Sequence, residues 1–247
     1  RKAELRLYTK KFETAGYAGE KGISIQMAAR DLRFEWLGKL RKEENYDLIA
    51  TGHNRNDSVE TILINLTRGT GINGLTGISP ASGHIIRPLL FATRQMISQY
   101  AEDNNIRYRE DSSNIQTRYT RNKIRHKVIP VLEQINPSVL FSISETSEFL
   151  KSAYLIYEQT IEEKRKEIIE YGDKSSSIRI SELKKLHPLD TWVYELFKYY
   201  HFGKHQVSDI IRLLDADTGK QMISVDHILT RDRGRIIISP SATTEFI

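Results

Sequence analysis

Several side chains suited to acid–base or charge chemistry lie in one short segment, TGHNRNDSVETILINLTRG. Among them are His53, Asp57, Glu60 and Arg68. A carboxylate can orient an amine and accept its proton, whereas an arginine neutralises charge on phosphates. Asp57 as an N-cap and Glu60 three residues later also fit a capping box, a common structural feature of helices. The residue types alone therefore leave a catalytic and a structural interpretation open.

Glycines follow this segment at close spacing in RGTGINGLTG. They are Gly69, Gly71, Gly74 and Gly77. Glycine lets backbone amides approach a phosphate or an RNA backbone closely. A flexible connection is the alternative interpretation, because a glycine-rich loop by itself specifies no ligand.

Positive charge is concentrated later in the chain. The formal net charge is +5, and residues 107–127 contain seven Lys or Arg against two acids. In RNKIR, Arg121 and Arg125 are one helical turn apart and are expected on the same side of a helix. This pattern fits a polyanionic partner, although a solvated helix face would have a similar composition.

Helices and strands alternate in the first half of the sequence. Hydrophobic spacing predicts helices over 24–42, 57–69 and 92–105, and strands over 46–52, 84–90 and 106–110. Ser24 is the expected N-cap of the first helix, and Gly69 the expected C-cap of the second. Such alternation predicts an α/β fold with a parallel sheet, whose ligands bind beyond the carboxyl ends of the strands. The segment from Thr51 to Asp57 lies at such an end.

The pattern changes near Pro130. A long helix is predicted over 136–172 and two more over 187–202 and 204–216, followed by a hairpin over 221–240 that turns at residues 232–234. We therefore expect two domains, an α/β catalytic domain over 1–130 and a mostly helical domain with a C-terminal hairpin over 131–247. Aromatic side chains in LFKYYHFGKH could stack on RNA, but core packing is the more common role of such a stripe.

Composition excludes several classes of protein. The 247 residues include no cysteine, which excludes disulfides, thiolate metal sites and a cysteine nucleophile within this sequence. The sequence has no apolar run long enough to cross a membrane. With no apolar leader at its start either, the chain is expected to be cytoplasmic.

The opening segment resembles a signature of the PP-loop (N-type ATP pyrophosphatase) family, and within it of the tRNA(Ile)-lysidine synthases. That signature reads H-H-x-D-D-x-x-E-T-x-x-x-x-x-x-R-G-[ST]-G-x-x-G-L-x-G. This chain matches it at eleven positions: His53, Asp57, Glu60, Thr61, Arg68, Gly69, Thr70, Gly71, Gly74, Leu75 and Gly77. Asn54 replaces the second His, and Asn56 replaces the first Asp. The change at Asn56 is expected to weaken any cation-binding role there.

Three more segments carry the resemblance. GISIQMAARDLRFEWL resembles the family's A-A-R-x-x-R helix, IIRPLL with Arg94 resembles the strand and helix that close the catalytic domain, and residues 110–132 resemble its R-N-x-[IL]-R-x-x-[VL]-[IL]-P-x-L segment. The resemblance implies a Rossmann-like fold (adenine nucleotide alpha hydrolase-like). The family's phosphate-binding loop, S-G-G-x-D-S, does not occur in the sequence and is expected upstream of Arg1, so the catalytic domain is expected to be N-terminally incomplete.

The resemblance implies a particular reaction. The family transfers AMP from ATP, used with Mg²⁺, to the wobble cytidine of tRNA(Ile), and the amine of L-lysine then displaces the AMP to form lysidine. The roles implied here are Asp57 and Glu60 for positioning lysine or cytidine, Arg33 and Arg125 as catalytic phosphate contacts, and His53 with the nucleotide. The implied substrate or tRNA contacts are Arg68, Gly69, Gly71, Arg118, Arg121 and Asn122. No metal site of the chain's own is expected, and a homodimer is one expected assembly.

Two other functions remain open at this stage. One is another PP-loop enzyme that modifies tRNA with ATP, although the absence of cysteine counts against its sulfur-transferring members. The other is a non-catalytic RNA-binding module, which the missing phosphate-binding loop and Asn56 would permit. ATP–pyrophosphate exchange with tRNA separates the enzymes from the module, and Asp57 is the first choice for the essential acid.

Overall fold

The computed structural model describes residues 6–108 and 120–241. The chain divides into two compact units, 1–150 and 151–247. The division near residue 130 that the sequence predicts falls within the first unit. Among the described residues, no helix is both long and apolar enough to cross a membrane.

Three helices in the first part of this unit follow the predicted pattern closely, and one helix before them was not predicted. The unpredicted helix is α1 (Thr14–Lys21), and the predicted ones are α2 (Ile25–Glu43), α3 (Arg55–Arg68) and α4 (Arg94–Asp103). Ser24 caps α2 as predicted, because its side chain accepts the Met27 N–H at 3.2 Å. Gly69 ends α3 with φ at 76°, a conformation that suits glycine.

The start of α3 differs from the prediction. Asn54, not Asp57, is the N-cap: its side chain accepts the Asp57 N–H at 3.2 Å. Asp57 takes the third helical position and accepts the Asn54 N–H at 3.0 Å. The capping box is therefore real but shifted by three residues, and it leaves Glu60 outside the cap.

The sheet of the first unit is small and mixed. Strand β1 (Ile49–Ala50) pairs in parallel with β3 (Ile85–Ile86), and β2 (Ala81–Ser82) pairs with β3 in antiparallel fashion. The parallel pair was predicted, but both strands are shorter and less buried than expected. Residues 106–108 form no strand, contrary to the prediction, and the rest of that segment lies outside the described residues.

A helical segment packs across α3. It comprises α5 (Thr120–Lys123), a wide π-helical turn over Ile124–Val128 and α6 (Ile129–Ile135). The turn precedes Pro130, which lacks an N–H and whose ring would clash with a regular α-helical backbone. Ile124 and Ile129 are buried against Val59 of α3. Leu66 shares the helical spacing of the buried Val59 and Ile62, which predicts the same burial, but it is exposed.

The second unit contains more sheet than predicted. The long helix α7 (Val139–Ile168) ends four residues early, and the chain enters a five-stranded antiparallel sheet in the order β4-β5-β8-β7-β6. Its strands are β4 (Ile169–Tyr171), β5 (Ser176–Arg179), β6 (Gln221–Ile223), β7 (His227–Asp232) and β8 (Arg235–Pro240). The hairpin β7–β8 turns at Arg233 and Gly234, as predicted. The predicted helical region with antiparallel strands is confirmed, but the sheet has five strands where the sequence predicts a single hairpin.

Helices α8 (Ile180–Lys184), α9 (Leu189–Phe197) and α10 (Val207–Leu214) complete the second unit. Phe197 and Phe202 meet edge to face with ring centroids 6.4 Å apart, and both are buried in the core. The core interpretation of the aromatic stripe is thus confirmed for Phe202. Tyr199 remains exposed, with the Arg165 guanidinium over its ring at 4.6 Å.

Candidate active site

An open pocket of about 1160 Å³ lies in the first unit. Its walls come from α2, the residues after β1, one side of α3, and α5. Thr51 and His53 line it directly beyond the carboxyl end of β1, where ligands bind in open α/β sheets. The position predicted from the sequence for a site is therefore the position of this pocket.

Positive charge dominates the pocket. Among the described residues, the charged side chains of its lining are four arginines and one carboxylate: Arg30, Arg33, Arg68, Arg121 and Asp57. Within the described part of the chain, Arg30, Arg33 and Arg68 form no ion pair. Guanidinium groups bind phosphate through paired N–H donors, so this lining suits a phosphate-bearing ligand.

Behind the pocket wall, Glu60 is completely buried and ion-paired. Arg125 donates to both of its carboxylate oxygens, from Nε at 2.6 Å and from Nη2 at 3.0 Å. These hydrogen bonds raise the pKa of the Arg125 guanidinium above its ordinary value. Nε of Arg121 lies 3.5 Å from the same carboxylate, so the two arginines do project to one side as predicted.

Asp57 connects this buried pair to the pocket. One carboxylate oxygen accepts the Asn54 N–H, and the other lies 3.6 Å from Nη2 of Arg125. The side chain is mostly buried but lines the pocket. Asp57 is thus fixed from two directions, and it presents the one negative group of a cationic lining.

His53 faces the pocket from the segment after β1. Its Nδ1 lies 2.9 Å from the hydroxyl of Thr51, which fixes the orientation of the ring. Burial lowers the pKa of His53 below its ordinary value; Asp57 opposes this effect, and Arg87, Arg30 and Arg121 add smaller lowering effects. The imidazole is therefore neutral at neutral pH.

Asn56, the departure from the family signature, has a structural contact. Its side-chain oxygen accepts the Arg94 N–H at 2.9 Å, at the first residue of α4. An aspartate could accept the same bond, so this contact does not explain why asparagine stands here. It does join the start of α3 to the start of α4.

The described residues do not form a magnesium site of their own at this pocket. Mg²⁺ prefers carboxylate and phosphate oxygens in octahedral geometry. Asp57 is the one carboxylate of the described lining, and both of its oxygens already have cationic or N–H neighbours.

The glycine segment folds back on α3 rather than into the pocket. The Asn65 side chain donates to the Gly74 carbonyl at 2.8 Å, and the Ile78 N–H donates to the Ser58 hydroxyl at 3.0 Å. Gly77 has φ at 72°, and a Cβ there would lie 2.4 Å from the Ser58 oxygen. Glycine is therefore required at this position for packing against the helix.

The pocket brings together many of the predicted residues but not all of them. Arg33, His53, Asp57, Arg68, Arg121 and Asn122 line it. Glu60 and Arg125 lie behind it, Gly69 and Gly71 are exposed outside its lining, and Arg118 lies outside the described residues. The sequence prediction missed Arg30 and Asn65. Arg30 could have been found, because it precedes Arg33 by three residues on the same helix.

Comparison with known proteins identifies two family models that match this chain. Residues 1–132 match the family model described as the PP-loop domain, and residues 171–241 match the TilS substrate binding domain. The first match covers more than half of the chain. The chain belongs to the PP-loop family. Membership of this family, inferred from the segment around Asp57, is thus confirmed.

Several curated relatives of this PP-loop chain are tRNA(Ile)-lysidine synthases. The protein from Parabacteroides distasonis is 41% identical over 92% of this chain and 51% of its own length. Those from Porphyromonas gingivalis (strain W83) and Bacteroides thetaiotaomicron are 39% and 40% identical over 97% and 95% of this chain, and over 52% and 54% of their own lengths. The chain spans about half the length of these relatives. The predicted resemblance to lysidine synthases is confirmed in both matched regions.

Proposed function

We propose that the protein carrying this chain is an ATP-dependent ligase that forms lysidine on the wobble cytidine of tRNA(Ile). One observation carries the proposal: a pocket at the carboxyl end of a parallel strand, lined by four arginines and one carboxylate, in a chain of the PP-loop family. The names of the relatives supply the substrate, because they are tRNA(Ile)-lysidine synthases.

In the first step the carbonyl oxygen on the cytosine ring attacks the α-phosphorus of ATP, and pyrophosphate leaves. We assign Arg30 and Arg33 of α2 to the nucleotide phosphates. Guanidinium groups stabilise the negative charge that develops during this transfer. Mg²⁺ would enter with the ATP phosphates and neutralise further charge.

In the second step the ε-amine of L-lysine attacks the activated ring carbon, and AMP leaves. The amine must lose a proton to attack, and a carboxylate within hydrogen-bonding reach can orient it and take the proton. Asp57 is the group we assign to this role, because it is the carboxylate that lines the pocket. The neutral His53 ring would contact the nucleotide or base through Nε2, since Nδ1 is engaged with Thr51.

Glu60 and Arg125 act in this scheme through Asp57. Glu60 is buried and both of its oxygens are bound, so we assign it to positioning rather than to substrate contact. Arg125, in turn, lies between the two carboxylates and holds their relative position. Arg68, Arg121 and Asn122, with the neighbouring Gly69, Gly71 and Arg118, are the proposed contacts with tRNA.

Two reactions measured on the whole protein test the proposal. The first is tRNA-dependent exchange of pyrophosphate into ATP, and the second is incorporation of labelled lysine into tRNA(Ile). We expect Asp57→Asn to lower lysine incorporation by about 100-fold or more, the usual contribution of a general base, and to lower exchange much less. Asp47→Asn, an exposed carboxylate of the same unit, should change neither rate.

The outcomes separate the alternatives. Exchange with tRNA but without lysine incorporation would indicate another tRNA-modifying enzyme of the PP-loop family. Salt-sensitive tRNA binding with no exchange would indicate an RNA-binding module and would contradict the proposal. Equal losses of both rates in Asp57→Asn would remove Asp57 from the lysine step.

A further inference from the structure

A cluster of two histidines and one aspartate lies in the second unit, among residues that the proposed reaction does not use. Nδ1 of His201 is 2.8 Å from both carboxylate oxygens of Asp226, and Nδ1 of His227 is 2.8 Å from one of them. The three side chains come from two segments, the turn after α9 and the start of β7. His201 is 62% exposed, whereas Asp226 and His227 are about three-quarters covered.

The two segments are joined by hydrogen bonds that do not involve the three side chains. The Ser224 hydroxyl donates to the Tyr200 carbonyl at 2.7 Å and accepts the His227 N–H at 3.0 Å. The Ser241 N–H donates to the Asp226 carbonyl at 2.8 Å. Because the backbone is held independently, the three side chains are brought together before any ligand arrives.

The ring of His227 is oriented by packing as well. It meets the Tyr200 ring edge to face, with centroids 5.1 Å apart and an angle of 70°. His201 has φ at 58°, in the left-handed region that histidine and asparagine tolerate better than most residues. The His227 ring is therefore held by an aromatic neighbour, whereas His201 lies on an exposed turn where its side chain can adjust.

Imidazole nitrogen and carboxylate oxygen are ligands for zinc and the neighbouring transition metals, whereas Mg²⁺ and Ca²⁺ prefer oxygen alone. A tetrahedral zinc with bonds of about 2.0–2.1 Å needs donor atoms about 3.4 Å apart. The donors here would have to separate by roughly half an ångström from their hydrogen-bonding distances. Rotation of the exposed His201 side chain can supply that movement.

The hydrogen bonds within the cluster can be exchanged for bonds to a metal. Both imidazole rings contact the Asp226 carboxylate through Nδ1. A neutral imidazole can move its proton from Nδ1 to Nε2 and leave Nδ1 free to bind a cation. A metal can therefore replace the two hydrogen bonds without removing a proton from either ring.

We propose that His201, Asp226 and His227 form a binding site for a zinc-like divalent transition metal, with water or another ligand at the fourth position. The metal would link the turn after α9 to the start of β7. This site lies within the region that matches the substrate binding domain, and it is separate from the proposed ligase chemistry. Its role is to stabilise that unit.

Zinc titration of the chain, prepared without a histidine tag, tests the proposal. A chromophoric chelator that competes for zinc should report one bound ion per chain, and MgCl₂ should not compete. Zinc at about ten times its Kd should raise the melting temperature of the unit by about 5 °C. His201→Asn keeps a residue that tolerates the left-handed backbone, and Asp226→Asn keeps the shape of the carboxylate. Both variants should bind zinc at least about tenfold more weakly.

His205→Gln is the matched control, because His205 is an exposed histidine nearby that is not part of the cluster. It should bind zinc as the unaltered chain does. Fewer than one zinc per chain would overturn the proposal. So would unchanged affinity in His201→Asn and Asp226→Asn, or equal competition by Mg²⁺. None of these results depends on ligase activity, so a failure here is distinct from a failure of the proposed function.

Discussion

Two glutamates of this protein each lie between two arginines, one in each compact unit. Glu60 pairs with Arg125 and Arg121, and Glu170 pairs with Arg235 and Arg179. Both pairs are bidentate with nearly the same distances: Arg125 reaches Glu60 from Nε and Nη2 at 2.6 and 3.0 Å, and Arg235 reaches Glu170 from its two Nη atoms at 2.6 and 2.9 Å.

The two clusters differ in their exposure to water. The Glu60 side chain is 0% exposed, whereas that of Glu170 is 52% exposed. The charges of an exposed ion pair are solvated by water whether or not the pair forms, so its net contribution to stability is small. A buried pair is different, because removing one partner leaves an uncompensated charge in the interior. Contact geometry alone therefore does not tell which cluster the fold depends on.

Removing the carboxylate charge should give the largest difference between the two clusters. Glu60→Gln removes the nearer of the two carboxylates that pair with the buried Arg125 and leaves the more distant Asp57. We expect it to lower the free energy of unfolding by about 3–5 kcal/mol. Glu170→Gln should leave that free energy unchanged within error, since water replaces the lost partner. Urea denaturation of both variants, followed by circular dichroism, measures the comparison. Equal losses would show that burial does not distinguish the clusters.

The second difference lies in what the arginines can bind. Arg33 lines the cationic pocket, whereas Arg179 is exposed on the sheet of the second unit. Since one lost charged contact is worth about 1.4 kcal/mol or more, Arg33→Ala should weaken ATP binding by about tenfold or more. The reading is the KM for ATP in the pyrophosphate exchange reaction of the whole protein.

Two controls belong to this measurement. Arg179→Ala should leave the KM for ATP unchanged, and so should Lys42→Ala, an exposed cation on the same helix as Arg33. If all three variants raised the KM equally, the effect would come from net charge and not from the pocket. Unchanged melting temperatures would exclude loss of folding as the cause.

The comparison also shows which parts of the site a sequence can reveal. The helical spacing around Asp57 and the parallel pairing of β1 with β3 follow from local pattern, and both were predicted. The burial of Glu60 was not predictable, because its partner Arg125 is 65 residues away along the chain. Hydrophobic spacing identifies a helix face but not the charged residue that another element will cover.

Two residues can cap the N-terminus of α3, and a contact with a distant loop decides between them. Asn54 and Asp57 are both good N-cap residues, and the sequence does not decide between them. The Arg55 N–H donates to the Ala92 carbonyl at 2.9 Å, so a distant loop fixes where the helix begins.

The extra strands of the second unit also depend on contacts between distant segments. β4 and β5 are three and four residues long, and their pairing with each other and with β8 is not visible in local pattern.

The smallest expected difference between the two regions is in how their contributions to stability change with pH. Burial lowers the pKa of His53 below its ordinary value of 6.5, so the unfolded chain takes up this proton at a higher pH than the folded one. Stability from this source is fully present above about pH 6.5 and is lost as the pH falls through the lowered pKa. Glu170 acts in a different range. Arg235 lowers the pKa of its carboxyl from 4.5, so its contribution is lost only under more acidic conditions.

Between pH 7 and 5, therefore, the stability contributed by His53 should change with pH, whereas that contributed by the Glu170 cluster should not. His53→Gln should reduce the fall in unfolding free energy with pH by less than about 1.4 kcal/mol per pH unit, the limit for one proton. His84→Gln, which removes an exposed histidine of the same unit, should leave that slope unchanged, and so should Glu170→Gln. Urea denaturation at pH 5, 6 and 7 measures all three. A slope that fell in His84→Gln but not in His53→Gln would place the titrating group outside the pocket. It would also remove the support for a neutral His53 imidazole, which the proposed nucleotide contact requires.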